Sequence, residues 1–324
     1  MLLALSGDVS RDPLFWRDRS KKIIAALSKR SIDNFGIVDN AMGVGGFMTK
    51  EHGTKLEAAT GYSKNGLPYF RMGSGQRIIV IFGGGPDFQH KPPSGFQLRM
   101  VSSSFKELAK EYIVYYVSRR GGLPAGYSTR DMSDDYAAMI KEELAGPVDI
   151  IGLSSGGPIA HHFAVDHSDL IRHLVLAETG YRLSEEGKEW TRHVGDLARQ
   201  GKWRKAAVFM VTSIYPKGIK RHVFKLFMWL FGKSIAGASG DPSDGLVEVE
   251  AEVNHDFTSE QLAEIKVPTL VIGGEEDKFY LNRETAEGIP NARLILYEGF
   301  GHNAFDDNKL KFQADILAFL KEDA

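Results

Sequence analysis

Short apolar segments alternate along the chain with stretches that have the spacing of helices. The segments are 78–82, 113–117, 148–153, 269–272 and 294–297, and only 148–153 contains a charged residue. Strands that are apolar on both faces are typical of parallel sheets covered by helices on each side. We therefore predict an α/β fold with a mostly parallel central sheet, helices on both faces and ligand sites at the carboxyl ends of the strands.

Length and composition limit the number of domains that the chain can form. The chain has 324 residues, 43% hydrophobic and 25% charged, which is typical of a globular protein with one large core or two domains. We predict an N-terminal extension over residues 1–60 that packs on the core, with a basic surface helix over 15–32. The core itself is predicted over 61–180 and 246–324, with an inserted helical cap over 181–245. A helix is also predicted from about Ser133 to about Leu144.

Charge and cysteine content exclude several classes of protein. The formal net charge is −2, so no overall positive field favours a nucleic-acid partner. There are no cysteines, which excludes disulfides, thiolate nucleophiles and cysteine-bound metals. The apolar run at residues 2–5 is too short for a secretory signal, and no stretch reaches the roughly 18 apolar residues of a membrane span. We expect a cytoplasmic protein, and the sequence leaves the oligomeric state open.

The segment 148–164, VDIIGLSSGGPIAHHFA, carries the most specific signal. Gly152-Leu153-Ser154-Ser155-Gly156 fits the G-x-S-x-G pattern with Ser154 in the middle, after an apolar strand and before a helix. A serine on such a tight turn is strained, and glycines two positions away remove the clash and lift its hydroxyl above the sheet. The sequence therefore predicts Ser154 as a nucleophile.

A serine nucleophile needs a base and a group that orients the base. His302 follows the strand at 294–297 in YEGFGHNAF, and Asp277 follows the strand at 269–272 in VIGGEEDKF. We predict His302 as the base and Asp277 as the orienting acid. Glu275 and Glu276 are close competitors for the acid, and Glu178, at the end of HLVLAE, is an alternative one strand earlier.

These motifs resemble the α/β-hydrolase family from about Gly61 to the C-terminus. The resemblance rests on the segments GLSSG, GEED, GFGH and FGGGPD. It implies that Ser154 is the nucleophile, that His302 is the general base and then acid, and that Asp277 orients the histidine. It also implies that no metal and no organic cofactor is needed.

The resemblance further implies an oxyanion hole made of backbone N–H groups. One donor is the N–H of Ser155, and the second comes from the turn after the strand at 78–82. Gly85, just before Pro86, is the best match and Gly84 is the next. This turn departs from the family pattern because no histidine precedes the glycines.

The segment 181–245 is rich in large apolar residues at helical spacing. Phe224, Phe227, Met228 and Phe231 follow i, i+3, i+4 and i+7, so they form one stripe of a helix. We predict that these four residues either hold the cap on the sheet or line an apolar substrate pocket. Lysines and an arginine border the stripe; a solvated rim is favoured over contact with a membrane surface.

The function predicted from these features is hydrolysis of a carboxylic ester through an acyl-enzyme. The apolar cap favours a small-molecule substrate with an apolar acyl group, as in a carboxylesterase or a lipase-like enzyme. An aminopeptidase or amidase, or a C–C bond hydrolase, would use the same residues. A small-ligand sensor on a hydrolase scaffold is the alternative from a different class.

Overall fold

The computed structural model describes residues 58–144, 146–215, 217–237, 242–255 and 257–322. The predicted helix over 15–32 and nearly all of the predicted N-terminal extension lie outside these ranges. No helix among the described residues is both long enough and apolar enough to cross a membrane.

A single eight-stranded sheet organises the described chain, in the order β1-β2-β4-β3-β5-β6-β7-β8. Strands β1 and β2 form an antiparallel hairpin on one edge, and from β4 to β8 neighbouring strands are parallel. This confirms the mostly parallel α/β sheet. The strands are β1 (Ala58–Tyr62), β2 (Pro68–Met72), β3 (Arg77–Phe82), β4 (Tyr112–Val117), β5 (Val148–Leu153), β6 (Ile171–Ala177), β7 (Thr269–Gly274) and β8 (Arg293–Tyr297).

Hydrophobic cores lie on both faces of this sheet. In β3, Val80 and Phe82 point into one core, whereas Ile79 and Ile81 point into the other, and all four are fully buried. Alternate side chains of one strand therefore supply two separate cores, which explains why the strands are apolar throughout.

Helices fill the connections between the parallel strands, and two more follow β8. They are α1 (Gly95–Ser104), α2 (Thr129–Glu143), α3 (Gly156–Asp166), α4 (Glu185–Arg199), α5 (Trp203–Ile214), α6 (Gly218–Ala236), α7 (Ser243–Val253), α8 (Ser259–Leu262), α9 (Asn282–Gly288), α10 (Ala304–Asp307) and α11 (Lys309–Leu320). Helix α2 begins earlier than the predicted Ser133. Its N-cap is Ser128, whose hydroxyl accepts from the Asp131 N–H while the Asp131 carboxylate accepts from the Ser128 N–H.

Five helices, α4 to α8, follow β6 before the chain returns to the sheet at β7. Helix α6 packs on α5: a side chain at Gly232 would lie only 2.8 Å from the Cβ of Ala207, and the rings of Phe224 and Tyr215 are 5.1 Å apart. Helix α6 therefore covers one face of α5. Another face of α5 remains free to contact the carboxyl edge of the sheet.

Candidate active site

Ser154 occupies the sharp turn between β5 and α3. Its φ is +49°, a conformation that is strained for a residue with a side chain. The two glycines of the motif are required by close approach: a Cβ at Gly156 would lie 2.1 Å from the Phe82 carbonyl oxygen, and one at Gly152 would lie 2.7 Å from the Ala160 Cβ. The motif thus brings α3 directly against β3 and β5 and fixes Ser154 between them.

Ser154, His302 and Asp277 form one chain of hydrogen bonds. The Ser154 Oγ lies 2.9 Å from the His302 Nε2, and the His302 Nδ1 lies 2.9 Å from the Asp277 Oδ2. The other oxygen of Asp277 accepts from the Phe279 N–H at 2.8 Å, while the Asn282 amide donates to Oδ2 at 3.3 Å. Three residues separated widely in sequence are therefore brought together by the ends of β5, β7 and β8.

Glu178, the alternative acid, also lies at this edge but has a different partner. Its Oε1 accepts from the Phe305 N–H at 3.0 Å, and the residue is buried with a φ of +49°. Burial raises the pKa of Glu178 to about 7, against the influence of the His302 charge. Asp277 therefore takes the position beside the imidazole, and Glu178 forms part of the surrounding wall.

Two opposing effects act on the pKa of His302. Burial disfavours the charged imidazolium, but the hydrogen-bonded Asp277 carboxylate and the carboxylates of Glu178 and Glu252 favour it more strongly. The net result raises the pKa of His302 to about 9. The surroundings thus stabilise the proton-bearing form of this histidine.

The predicted oxyanion residues Ser155, Gly84 and Gly85 border the same cavity as Ser154. A Cβ at Gly84 would lie 3.2 Å from the Ser154 Cβ, so the turn after β3 passes directly beside the serine. Burial raises the pKa of the Tyr116 hydroxyl, while the Arg119 charge and the Gly84 backbone N–H act in the opposite direction. Gly85 has a φ of +72°, which a glycine adopts without strain.

Arg119 is a part of this site that no sequence motif indicates. It is buried, and its Nη1 donates to the carbonyl oxygens of Gly83 at 2.7 Å and Gly85 at 3.1 Å. Its Nη2 donates to the Ser155 Oγ at 3.2 Å, and Glu248 lies 3.7 Å away as its charge partner. One guanidinium therefore connects the glycine turn, the residue after Ser154 and helix α7.

A cavity of about 390 Å³ opens over Ser154 and His302. Its walls are mostly apolar. Helices α4 and α5 contribute Trp190, Thr191, Val194, Phe209, Met210, Ser213 and Ile214, and α1 with its following residue contributes Met100, Val101, Ser104 and Phe105. The volume lies within the range of small-molecule sites.

The structure corrects the predicted lining of this cavity. Phe224, Phe227, Met228 and Phe231 are absent from its wall. These residues belong to α6, and α6 packs on α5, which itself forms the wall. Phe231 is 51% exposed.

A second cavity, of about 740 Å³, meets the first at His302. The two share Trp190, Phe209, Ser213, Ile214, Phe279 and His302. The first is bordered by the carboxylates of Glu178, Glu252 and Asp306 among mostly apolar side chains. The second is bordered by charges of both signs, which are Glu186, Lys217, Lys220, Arg221, Glu276, Lys278 and Asp307. The imidazole thus lies between a mostly apolar and a more highly charged compartment. Within the described ranges, no group of three or more His, Asp or Glu side chains could hold a metal ion.

Comparison with known proteins identifies the family to which this chain belongs. A non-heme chloroperoxidase of Kitasatospora aureofaciens is 40% identical over 73 residues, which cover 21% of this chain and only 26% of that protein. The enol-lactonase of Burkholderia xenovorans LB400 is 19% identical, with a TM-score of 0.65 over 82% of this chain and 100% of that one. An esterase of Exiguobacterium antarcticum is 20% identical, with a TM-score of 0.65 over 81% and 99%. At these identities the two structures show a common fold.

A family model adds direct evidence from the sequence. The model described as alpha/beta hydrolase fold matches residues 95–309, which is more than half of the chain and includes Ser154, Asp277 and His302. The protein therefore belongs to the alpha/beta hydrolase fold family.

Proposed function

We propose that this chain is a serine hydrolase that cleaves a carboxylic ester through an acyl-enzyme. The observation that carries the proposal is the hydrogen-bonded chain from Ser154 through His302 to Asp277, at the floor of an apolar cavity. A serine hydroxyl is a weak nucleophile until a base takes its proton, and both contacts have the distances that this transfer requires.

In the proposed reaction, the neutral His302 takes the Ser154 proton as Oγ attacks the ester carbonyl. The backbone N–H groups of Ser155 and Gly85 stabilise the oxyanion, with Gly84 as the alternative second donor. The histidinium then gives its proton to the departing alcohol. A water deprotonated by His302 attacks the acyl-enzyme, and the carboxylic acid leaves as Ser154 regains its proton.

The two compartments suggest how an ester would lie. Its acyl chain fits the apolar cavity between α4, α5 and α1, and its alcohol part faces the charged cavity beyond His302. We therefore favour an apolar acyl ester and treat helices α4 to α6, which lie within the predicted cap at 181–245, as the cap over the site. The esterase and the enol-lactonase with the same fold are named for ester cleavage, which agrees with this proposal.

The test is hydrolysis of p-nitrophenyl esters from acetate to palmitate by the native protein, Ser154→Ala and Ser155→Ala. We expect Ser154→Ala to lower kcat by roughly 10⁴-fold or more. Ser155→Ala is the comparison variant, because it keeps the backbone N–H and removes only the hydroxyl that accepts from Arg119; we expect it to lower kcat far less than Ser154→Ala does. Equal rates for Ser154→Ala and the native protein would overturn the proposal. Turnover of matched anilides but of no ester would replace it with an amidase, and ligand binding without turnover would favour a sensor.

A further inference from the structure

Helix α6 exposes a continuous apolar stripe to solvent. Ile219, Val223, Leu226 and Leu230 follow i, i+4, i+7 and i+11, so they lie along one side of the helix. Ile219 is 81% exposed, and the other three are about half exposed. Of the nine large hydrophobic side chains that are exposed in the described ranges, six belong to this helix. Such a concentration marks an interaction surface, because folded proteins seldom leave a large apolar patch open.

The charges of the same helix all have one sign. Residues 217–237 include five lysines and arginines and no aspartate or glutamate, in a chain whose net charge is −2. At the amino end, Lys220 pairs with Asp307, and Arg221 donates to the carbonyl oxygens of Thr212 and Tyr215. Lys217 beside them is exposed. Lys225 and Lys233 are exposed farther along, and the Arg204 guanidinium lies 5.7 Å from the Trp229 ring centre.

These charges restrict what can cover the stripe. A second copy would bring two positive helices face to face. The sequence at 11–30, the most helix-like part of the N-terminal region, is basic as well, with seven lysines and arginines against two aspartates. An apolar stripe bordered by lysines, with a tryptophan at its edge, matches the surface of an anionic bilayer. There the apolar side chains enter the acyl boundary and the ammonium groups stay among the phosphates.

We propose that α6 docks this protein on membranes that contain anionic lipids, with its axis in the plane of the surface. Lys217, Ile219, Lys220 and Arg221 also border the charged cavity that reaches His302. Docking therefore places one entrance of the site beside the lipid, which suits an apolar ester that partitions into membranes. Only this last consequence rests on the proposed function; the docking itself does not.

The experiment is co-flotation of the full chain with vesicles of phosphatidylcholine alone or mixed with phosphatidylglycerol. We expect binding to the mixed vesicles that weakens as salt is added. The double variant Leu226→Glu/Leu230→Glu is expected to lose binding, and each of Lys225→Gln and Lys233→Gln to weaken it about fivefold. Tyr62→Glu/Leu310→Glu is the control, because it adds the same two charges at exposed hydrophobic side chains outside α6.

Circular dichroism melting of each variant establishes that it is folded. Because vesicle binding needs no turnover, the binding result does not depend on the outcome of the enzyme assay. Absence of native binding to phosphatidylglycerol vesicles would overturn the proposal. Binding that the double variant retains would do so as well. Dimers in light scattering that Leu226→Glu/Leu230→Glu converts to monomers would overturn it in favour of a second copy. Displacement of the protein from vesicles by an acidic polypeptide at equal charge would favour an acidic protein partner instead.

Discussion

The buried guanidinium of Arg119 donates a hydrogen bond of 3.2 Å to the hydroxyl of Ser155, the residue after the proposed nucleophile. The same side chain donates to the carbonyl oxygens of Gly83 and Gly85. Both proposed oxyanion donors therefore depend on one cation that does not itself face the cavity. Arg119 is a positioning residue in this interpretation.

We expect Arg119→Met to lower kcat by about 10- to 100-fold, because the glycine turn and Ser155 lose their common partner. KM should change far less, since Arg119 does not line the substrate cavity. Arg119→Lys should restore part of the rate, and Arg120→Met, which removes the adjacent arginine from its contact with Asp135, should have little effect. Steady-state kinetics with an acetate ester measures kcat and KM separately for each variant. A kcat equal to that of the native protein in folded Arg119→Met would contradict the positioning role.

The choice between the two candidate acids can be tested by removing one charge at a time. Asp277→Asn should lower kcat by roughly 10⁴-fold, because the amide no longer holds the imidazole in the required tautomer. Glu178→Gln should retain most of the rate, since Glu178 bonds to the Phe305 N–H rather than to His302. The reverse order of effects would transfer the orienting role to Glu178.

The pKa of His302 sets the pH dependence of the proposed reaction. Only the neutral imidazole accepts the Ser154 proton, and its pKa is raised to about 9. We therefore expect kcat/KM to rise with pH and to become level above about 9. Glu178→Gln removes a negative charge that favours the histidinium, so its profile should rise at lower pH. A profile that is already level near neutral pH, in both proteins, would show that the carboxylates do not govern this titration.

The corrected cavity wall makes a prediction about chain length. Met210 lies on α5, with its methyl group 4.0 Å from the position of a Cβ at Gly85, whereas Met228 lies on α6, away from the cavity. Met210→Ala should lengthen the preferred acyl chain, with a gain of up to about fourfold in kcat/KM for each methylene added. Met228→Ala is the matched control and should leave the preference unchanged. If only Met228→Ala changed the preferred acyl chain length, α6 rather than α5 would line the pocket.

The catalytic residues proposed at the strand ends could be predicted because three sequence features coincide there: an apolar strand, nearby glycines and a parallel sheet. Ser154, Asp277 and His302 each follow an apolar strand and stand near glycines, and parallel strands place their carboxyl ends at one edge. The start of α2 was harder to place, since Ser128 and Ser133 are both followed by acidic residues. Only the observed hydrogen bonds identify Ser128 as the cap.

The positions of α6 and Arg119 depend on tertiary packing, which cannot be read from the spacing of residues in the sequence. The apolar stripe of α6 correctly groups Phe224, Phe227 and Phe231, but periodicity does not say which neighbour a stripe faces. Here α5 takes the place between α6 and the cavity. Arg119 and Arg120 are adjacent and chemically identical, and only the path of the chain after β4 buries the first beneath the glycine turn and leaves the second partly exposed.

Within the described ranges, strand β8 lies at the edge of the sheet and pairs with β7 alone. His302 follows this strand, whereas Ser154 follows β5, which has a neighbour on each side. Edge elements open locally at a lower free energy than the centre of a sheet. Fraying of β8 would separate the base from the serine while the central strands stay paired. On heating, catalytic competence should accordingly disappear at a lower temperature than the far-ultraviolet circular dichroism signal.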